Sequence, residues 1–266
     1  MDDLSAPEKR SPEPSAFIRP PGLEMAMGLA LFTFCFTAFY GMQVILFIRR
    51  VMATTPELSG RSFSFDLLQE ELFASRWVEL SANGDAIAQV SFWSGLFGLA
   101  LVVLMTWRWK RGRTRTFLAL TPAPPREFIK WTVVFLSVFL VLEVIGHLLP
   151  DAGNDFMVKV LGSSTNKLLL LLGVGVMPAL FEEFLLRGLL YGSLRHVMEH
   201  HIAIAIVAGL FTVLHMQYEW YVLLLIVLPM GVALGYARAN GGSIWVPVLL
   251  HMLNNCASIL LPDLWS

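Results

Sequence analysis

The fold is decided by the stretch KLLLLLGVGVMPALFEEFLLRGLLY, which occupies residues 167–191. It is apolar at most positions and exceeds the ~20 residues that a helix needs to cross the ~30 Å hydrocarbon core of a bilayer. A polar interruption formed by Glu182, Glu183 and Arg187 falls in its second half. The stretch therefore predicts a membrane-spanning helix that carries ionisable side chains within it.

Similar apolar runs lie on both sides of this stretch. Hydrophobic residues make up 56% of the 266-residue chain and charged residues 15%, whereas a globular protein contains about 25% charged residues. This composition excludes disordered, collagen-like and disulfide-scaffold proteins, and the net charge of -1 gives no electrostatic case for binding nucleic acid. The sequence predicts an all-α polytopic bundle of about seven or eight membrane spans. The seven predicted helices are 24–48, 86–109, 128–149, 167–191, 202–218, 221–237 and 243–261.

The chain divides into three predicted parts. Residues 1–22 contain five prolines and mixed charges, which is typical of a flexible polar tail. Residues 23–166 contain the first spans and, near 56–83, a mixed apolar and charged segment that predicts an amphipathic interfacial helix or a folded loop. Residues 167–266 carry the polar motifs described below. The two cysteines, Cys35 and Cys256, lie in apolar stretches and indicate neither a disulfide framework nor a cysteine zinc site.

The distribution of lysine and arginine predicts the orientation of the bundle. If the N-terminus is inside, 13 of the 19 basic residues fall on the inner side and 6 on the outer side. Most of this bias comes from the loop between the second and third predicted helices. The excess of basic residues in cytoplasmic loops therefore predicts a multi-pass membrane protein with a cytoplasmic N-terminus.

Ionisable residues within a membrane span are costly and suggest a functional site. The side chains of Glu182 and Glu183 point to helix faces ~100° apart, so they cannot share one role. Glu183 and Arg187 are spaced i,i+4 and can form an ion pair, which leaves Glu182 free to point elsewhere. The alternative is that the helix ends at Ala179 or Leu180 and that the polar residues cap an interfacial loop.

Polar residues on other predicted helices could join this site. His215 follows Phe211 by four residues, although beside Tyr218 it could equally belong to an aromatic interfacial belt. His251 and Asn255 lie one turn apart in the middle of the last helix, where structural hydrogen bonding between helices is the alternative to a functional role. A fourth pair, formed by residues 143 and 147, is expected to be a solvated helix end.

Polar residues on three of the predicted helices lie at similar depths in the membrane. Glu182 and His215 are each ~13–15 residues from the polar turn at residues 195–201, or ~20 Å at a rise of 1.5 Å per residue. The last helix starts on the same side of the membrane, and His251 and Asn255 lie ~12–18 Å along it. A glutamate and a histidine that face one water can act as general base and proton shuttle, and a histidine with an asparagine can stabilise an oxyanion. This set is suited to hydrolysis of a peptide bond.

A metal-dependent reaction uses the same residues in another way. Glu182, His215 and His251 would form an acceptable zinc set of one carboxylate and two imidazoles. Their spacing does not decide between water activated by a metal and water activated by glutamate. A metal-free reaction and one that uses a divalent metal such as zinc therefore both stay open at this point. The other zinc pattern, H-x-x-E-H at residues 196–200, lies in a charged turn and is expected to be solvated.

Three ordered motifs resemble those of the CPBP family of intramembrane peptidases, also called the Abi or CAAX-prenyl endopeptidase family. The resemblance covers about residues 167–261. The family pattern is E-E-x-x-x-R, then F-x-x-x-H, then H-x-x-x-N or D. The matching residues are Glu182, Glu183, Arg187, Phe211, His215, His251 and Asn255.

This resemblance implies a helical membrane bundle that cleaves peptide bonds in or near the bilayer. It implies that Glu182 activates water with His215 and with no metal cofactor, that His251 and Asn255 bind the oxyanion, and that Glu183 and Arg187 support them. The implied partners are a membrane-anchored protein or peptide and the lipid bilayer, and the implied location is a bacterial inner membrane. Some relatives serve in bacteriocin immunity or as non-proteolytic membrane scaffolds, which is the alternative function. A small transporter that uses a proton relay is a third hypothesis, which the lack of an apparent inverted repeat disfavours.

Overall fold

The computed structural model describes residues 19–148 and 155–261, and every regular element within these ranges is a helix. We number the α-helices α1 to α10 and treat each long helix with internal wide turns as one element. A short 3₁₀ helix, Phe65–Gln69, precedes α2. The α-helices are α1 Pro21–Thr54, α2 Glu71–Leu80, α3 Gly84–Lys110, α4 Thr114–Phe117, α5 Pro125–Leu148, α6 Asp155–Ser163, α7 Lys167–Leu194, α8 His200–Val213, α9 Trp220–Gly241 and α10 Trp245–Leu260.

The predicted all-α membrane bundle is confirmed. By length and composition, α1, α3, α7 and α9 can each cross a membrane, and α8 and α10 are shorter apolar helices. Each of the seven predicted segments corresponds to one helix, namely α1, α3, α5, α7, α8, α9 or α10.

The predicted helix at 202–218 is too long. In the structure α8 ends at Val213, because the backbone N–H of His215 bonds the carbonyl of Thr212, three residues back, and tightens the chain into a turn. This turn leads through Gln217 and Glu219 to the start of α9.

The helix α7 continues through its polar residues to Leu194, so the alternative in which it ends at Ala179 or Leu180 is wrong. Two π-helical turns, Leu171–Val176 and Phe184–Leu190, flank its central α-helical segment. The first precedes Pro178, whose ring would clash with the carbonyl four residues earlier in a regular α-helix. A third π turn in α9, Leu223–Val227, precedes Pro229 in the same way. Wide turns of this kind are frequent at functional sites.

Close packing of α3 against α7 fixes the position of the α7 polar segment. A Cβ atom added at Gly173 would lie 2.0 Å from the backbone oxygen of Ala88, and one added at Gly98 would lie 2.6 Å from the ring of Phe181. Only glycine permits these contacts, as is typical of helix interfaces in membranes. From α1, Phe39 stacks on Phe181 with ring centroids 4.0 Å apart. Phe181, the residue before Glu182, therefore packs between α1 and α3.

The carboxyl-terminal helices form the other half of the bundle. Apolar clusters join the end of α7 to α8 and α9, and join α5 to α9 and α10. Residues 143 and 147, predicted to form a solvated helix end, have side chains outside the described part of the structure, as do residues 1–18 of the predicted tail. In the segment predicted to be amphipathic, α2 buries Phe73 while Val78 is exposed.

Candidate active site

A buried carboxylate lies at the centre of the bundle and joins α7 to α10. The Oε1 atom of Glu183 accepts a hydrogen bond from Nη1 of Arg187 at 3.0 Å and another from Nδ1 of His251 at 2.9 Å. Glu183 and Arg187 are 0% exposed and His251 is 3% exposed. The i,i+4 spacing within α7 therefore gives an ion pair, as the sequence predicted, and α10 adds a histidine to it.

Contacts with α8 and α9 hold the arginine in place. Nη2 of Arg187 donates to the backbone oxygen of Gly231 at 3.1 Å, and its guanidinium carbon lies 4.6 Å from the ring centroid of Phe211. A Cβ atom at position 231 would lie 3.0 Å from Phe211, so a glycine lets α9 approach closely enough for its carbonyl to accept this bond. Arg187 thus connects three helices around Glu183.

Phe211 also separates the two histidines of the site. Its ring centroid lies 4.4 Å from that of His215 and 5.5 Å from that of His251, the second contact being edge-to-face. His215 lies in the turn after α8, not on the helix as predicted, and it is partly buried. Its Nδ1 atom lies 2.7 Å from the backbone oxygen of Phe211. Because a carbonyl oxygen only accepts, Nδ1 carries a proton, and a neutral ring keeps its lone pair on Nε2.

Glu182 faces a different environment from that of Glu183. It is partly buried, its Oε2 atom is buried, and neither oxygen forms a hydrogen bond to a residue within the described ranges. Tyr40 of α1 lies near it, on the side where Phe39 stacks on Phe181. The two adjacent carboxylates therefore have separate surroundings, as their ~100° separation on a helix predicts.

Asn255 lies one helical turn beyond His251 on α10. Its Oδ1 atom accepts a hydrogen bond from Nδ2 of Asn254 at 3.3 Å. Within the described ranges no hydrogen bond uses Nδ2 of Asn255. This side chain is partly buried and keeps a donor for a bound group.

The sequence prediction and the structure differ in one pairing. The depth argument grouped His251 with Glu182, whereas the hydrogen bond of His251 goes to Glu183. Two contributors were not predicted. The carbonyl of Gly231 carries no signal in the sequence, because any residue has one, whereas Tyr40 is a polar aromatic residue within an apolar span and could have been noticed.

A metal ion at this site would need several of these side chains to converge on one point. Among residues 19–148 and 155–261, no three His, Cys, Asp or Glu side chains form a group that could hold a metal ion. The alternative zinc set of Glu182, His215 and His251 is therefore not gathered into such a group in this structure. A metal site normally needs at least three protein ligands that converge on one point.

These side chains are of the types that carry out acid–base chemistry. They are a carboxylate with no hydrogen bond to a described residue, an imidazole whose Nδ1 bonds a backbone carbonyl, and an amide donor. Glu182 lies 15 residues after the start and 12 residues before the end of α7, which places it about 20 Å from either end. Such a set can activate a water molecule and bind a developing negative charge within the membrane.

One of the comparisons with known proteins finds a match. Residues 164–257 match a family model described as type II CAAX prenyl endopeptidase Rce1-like, and this segment contains α7 to α9 and most of α10. No curated protein and no solved structure matches the chain. The match includes every residue of the motifs that indicated the CPBP or CAAX-protease family in the sequence. Residues 164–257 are therefore similar to the Rce1-like type II CAAX prenyl endopeptidases.

Proposed function

We propose that the protein is an intramembrane endopeptidase that hydrolyses peptide bonds of membrane-anchored substrates with water activated by Glu182. The observation that carries this proposal is the state of Glu182. Its carboxylate is partly withdrawn from solvent, and it makes no hydrogen bond to a described residue, whereas the adjacent Glu183 is committed to Arg187 and His251. Buried polar atoms are normally satisfied, and a substrate water would satisfy this one.

In this mechanism His215 acts with Glu182 on the attacking water. The hydrogen bond to the Phe211 carbonyl orients the ring and keeps the proton on Nδ1, so that Nε2 can accept a proton from water or pass it to the leaving amine. General acid–base groups of this kind contribute about 10²–10⁴-fold to a rate.

His251 and Asn255 would bind the oxyanion that forms when water adds to the carbonyl. Nδ2 of Asn255 is a donor in either protonation state of the site. The Nδ1 proton of His251 is committed to Glu183, so its ring donates from Nε2 only when it is doubly protonated. Glu183 and Arg187 therefore support the site by holding His251 in place.

The substrate class follows from the depth of the site and from the family of the matched segment. A scissile bond must enter the bundle to reach Glu182, so the substrate is a protein or peptide anchored in the same bilayer. The placement of basic residues favours an N-terminus in the cytoplasm, and the resemblance of the motifs favours a bacterial inner membrane.

The test uses purified protein in lipid vesicles with two fluorescent probes. One is a single-span peptide with a reporter next to the bilayer, and the other is a farnesylated peptide with three residues after the modified cysteine. We expect cleavage of at least one probe by the wild type and loss of about 10²-fold or more with Glu182→Ala and with His215→Ala. The matched control is Glu57→Ala, which removes an exposed carboxylate far from the site.

Undiminished cleavage by both site variants would contradict the proposal. Cleavage that disappears after chelation and returns with added zinc would contradict water activation by glutamate alone and favour the metal alternative. If the wild type cleaves neither probe while Glu182→Gln keeps full biological function, the non-proteolytic scaffold or immunity function would replace this one.

A further inference from the structure

A group of arginines at the end of α3 is not used by the proposed mechanism. Five basic residues lie between positions 108 and 115, directly after the apolar part of the span. Lys110 turns into the protein, where its ammonium group pairs with Glu24 and it is 8% exposed. Arg108 and Arg111 turn the other way and are exposed. At this helix end Lys110 is thus a buried cation neutralised by Glu24, and Arg108 and Arg111 form an exposed outer pair.

The outer pair lines a cavity of about 380 Å³ together with Trp107 and Gly112. Arg108 and Arg111 are three residues apart, so both project from the same side of the helix end. Gly112 has a φ of +67° and reverses the chain directly after the helix, a conformation that a residue with a Cβ adopts at a cost.

Neither guanidinium is paired with an acidic side chain in the part of the chain that the structure describes. Among the described residues, no carboxylate forms a salt bridge with Arg108 or Arg111, and neither side chain makes a hydrogen bond. Two adjacent unpaired guanidinium groups repel each other and favour binding of an anion between them. Guanidinium groups bind phosphate oxygens in a bidentate fashion.

The depth of the cavity identifies the source of that phosphate. The 27 residues of α3 span about 40 Å, longer than the ~30 Å hydrocarbon core, so that the helix end reaches the headgroup layer. Trp107 is 54% exposed beside the cavity, as is typical of aromatic residues at the membrane interface. Phospholipid headgroups are the anions present at this depth. We propose that the cavity formed by Trp107, Arg108, Arg111 and Gly112 binds the phosphate of an anionic glycerophospholipid.

The test measures lipid binding in detergent by native mass spectrometry and by the rise in melting temperature. The probes are phosphatidylglycerol, phosphatidylcholine and inorganic phosphate. The double variant Arg108→Gln/Arg111→Gln is compared with Arg113→Gln/Arg115→Gln, which removes the same charge from the same loop outside the cavity. We expect tighter binding of phosphatidylglycerol than of phosphatidylcholine, and a loss of about 25-fold in the cavity variant, or about 5-fold for each arginine.

Three outcomes would overturn the proposal. Equal loss in both double variants would show that the effect depends on charge alone, with no bound headgroup. Equal binding of phosphatidylcholine and phosphatidylglycerol would show that the two positive charges select no anionic lipid. An equal rise in melting temperature with inorganic phosphate would show that the cavity takes a free anion. None of these measurements depends on peptidase activity, so they succeed or fail separately from the proposed function.

Discussion

Two clusters in this bundle contain the same three kinds of side chain, a carboxylate, a cation and a histidine, but connect them in opposite order. In the central cluster the Glu183 carboxylate lies between Arg187 and His251. In the cluster at the end of the membrane spans, the cation lies in the middle, because Lys110 contacts both Glu24 and, at 3.3 Å, Nε2 of His196. The first cluster joins α7 to α10, and the second joins α1 and α3 to the turn after α7.

The difference in order determines what each histidine does in its cluster. His251 donates from Nδ1 to the Glu183 carboxylate. Because Lys110 can only donate, Nε2 of His196 must accept, and the ring must be neutral for that bond. The peripheral cluster therefore holds the turn after α7 through His196 only while that ring is unprotonated, whereas the ion pair of Lys110 with Glu24 joins α1 to α3 in either state.

The largest expected effect comes from removing the cation of the central cluster. Arg187→Met leaves Glu183 charged and fully buried, so we expect a loss of about 3–5 kcal/mol in the free energy of unfolding. Denaturant titration in detergent measures this loss. The double variant Glu183→Leu/Arg187→Met, which leaves no buried charge, should recover most of it. A double variant as unstable as the single one would contradict the ion-pair account.

Removing the cation of the peripheral cluster should cost less. Lys110→Met leaves Glu24 with 15% of its side chain exposed and with Arg19 at 3.8 Å, so water and a second cation compensate in part. We expect a loss of about 1–3 kcal/mol, the range for one unsatisfied polar group. The control Arg115→Met changes an exposed residue and should stay within about 0.5 kcal/mol of the wild type. A loss equal to that of Arg187→Met would show that burial does not distinguish the clusters.

The smallest expected effect is on pH dependence. Burial and the nearby Lys110 lower the pKa of His196 below its ordinary value of 6.5. As the pH falls below 6.5, the unfolded chain takes up this proton before the folded one, so stability decreases. The effect is small because His196 keeps contact with solvent. Melting temperatures at pH 5.5 and 7.5 should differ less for His196→Gln than for the wild type, and an unchanged difference would contradict this role.

The parts of the structure that the sequence predicted are those set by local spacing. The apolar runs located the helices, and the i,i+4 spacing of Glu183 and Arg187 gave their ion pair. The end of α8 at Val213 was not predicted, because the turn that places His215 depends on a backbone bond to Thr212 and has no strong breaker residue.

Contacts distant in the sequence were the parts that could not be predicted. His251 is 68 residues from Glu183, and Lys110 is 86 residues from both Glu24 and His196. Whether Glu182 or Glu183 accepts the hydrogen bond of His251 depends on how α10 packs against α7. An estimate of depth along each helix has no information about this rotation.

The central claim is that Glu182 and Glu183 divide chemistry and structure between them. The most direct test measures cleavage and unfolding for Glu182→Gln and Glu183→Gln side by side in the same vesicles and detergent. We predict that Glu182→Gln lowers the cleavage rate by about 10²-fold or more and leaves the free energy of unfolding unchanged. We predict that Glu183→Gln lowers the free energy of unfolding. Full cleavage by a folded Glu182→Gln protein would contradict the account.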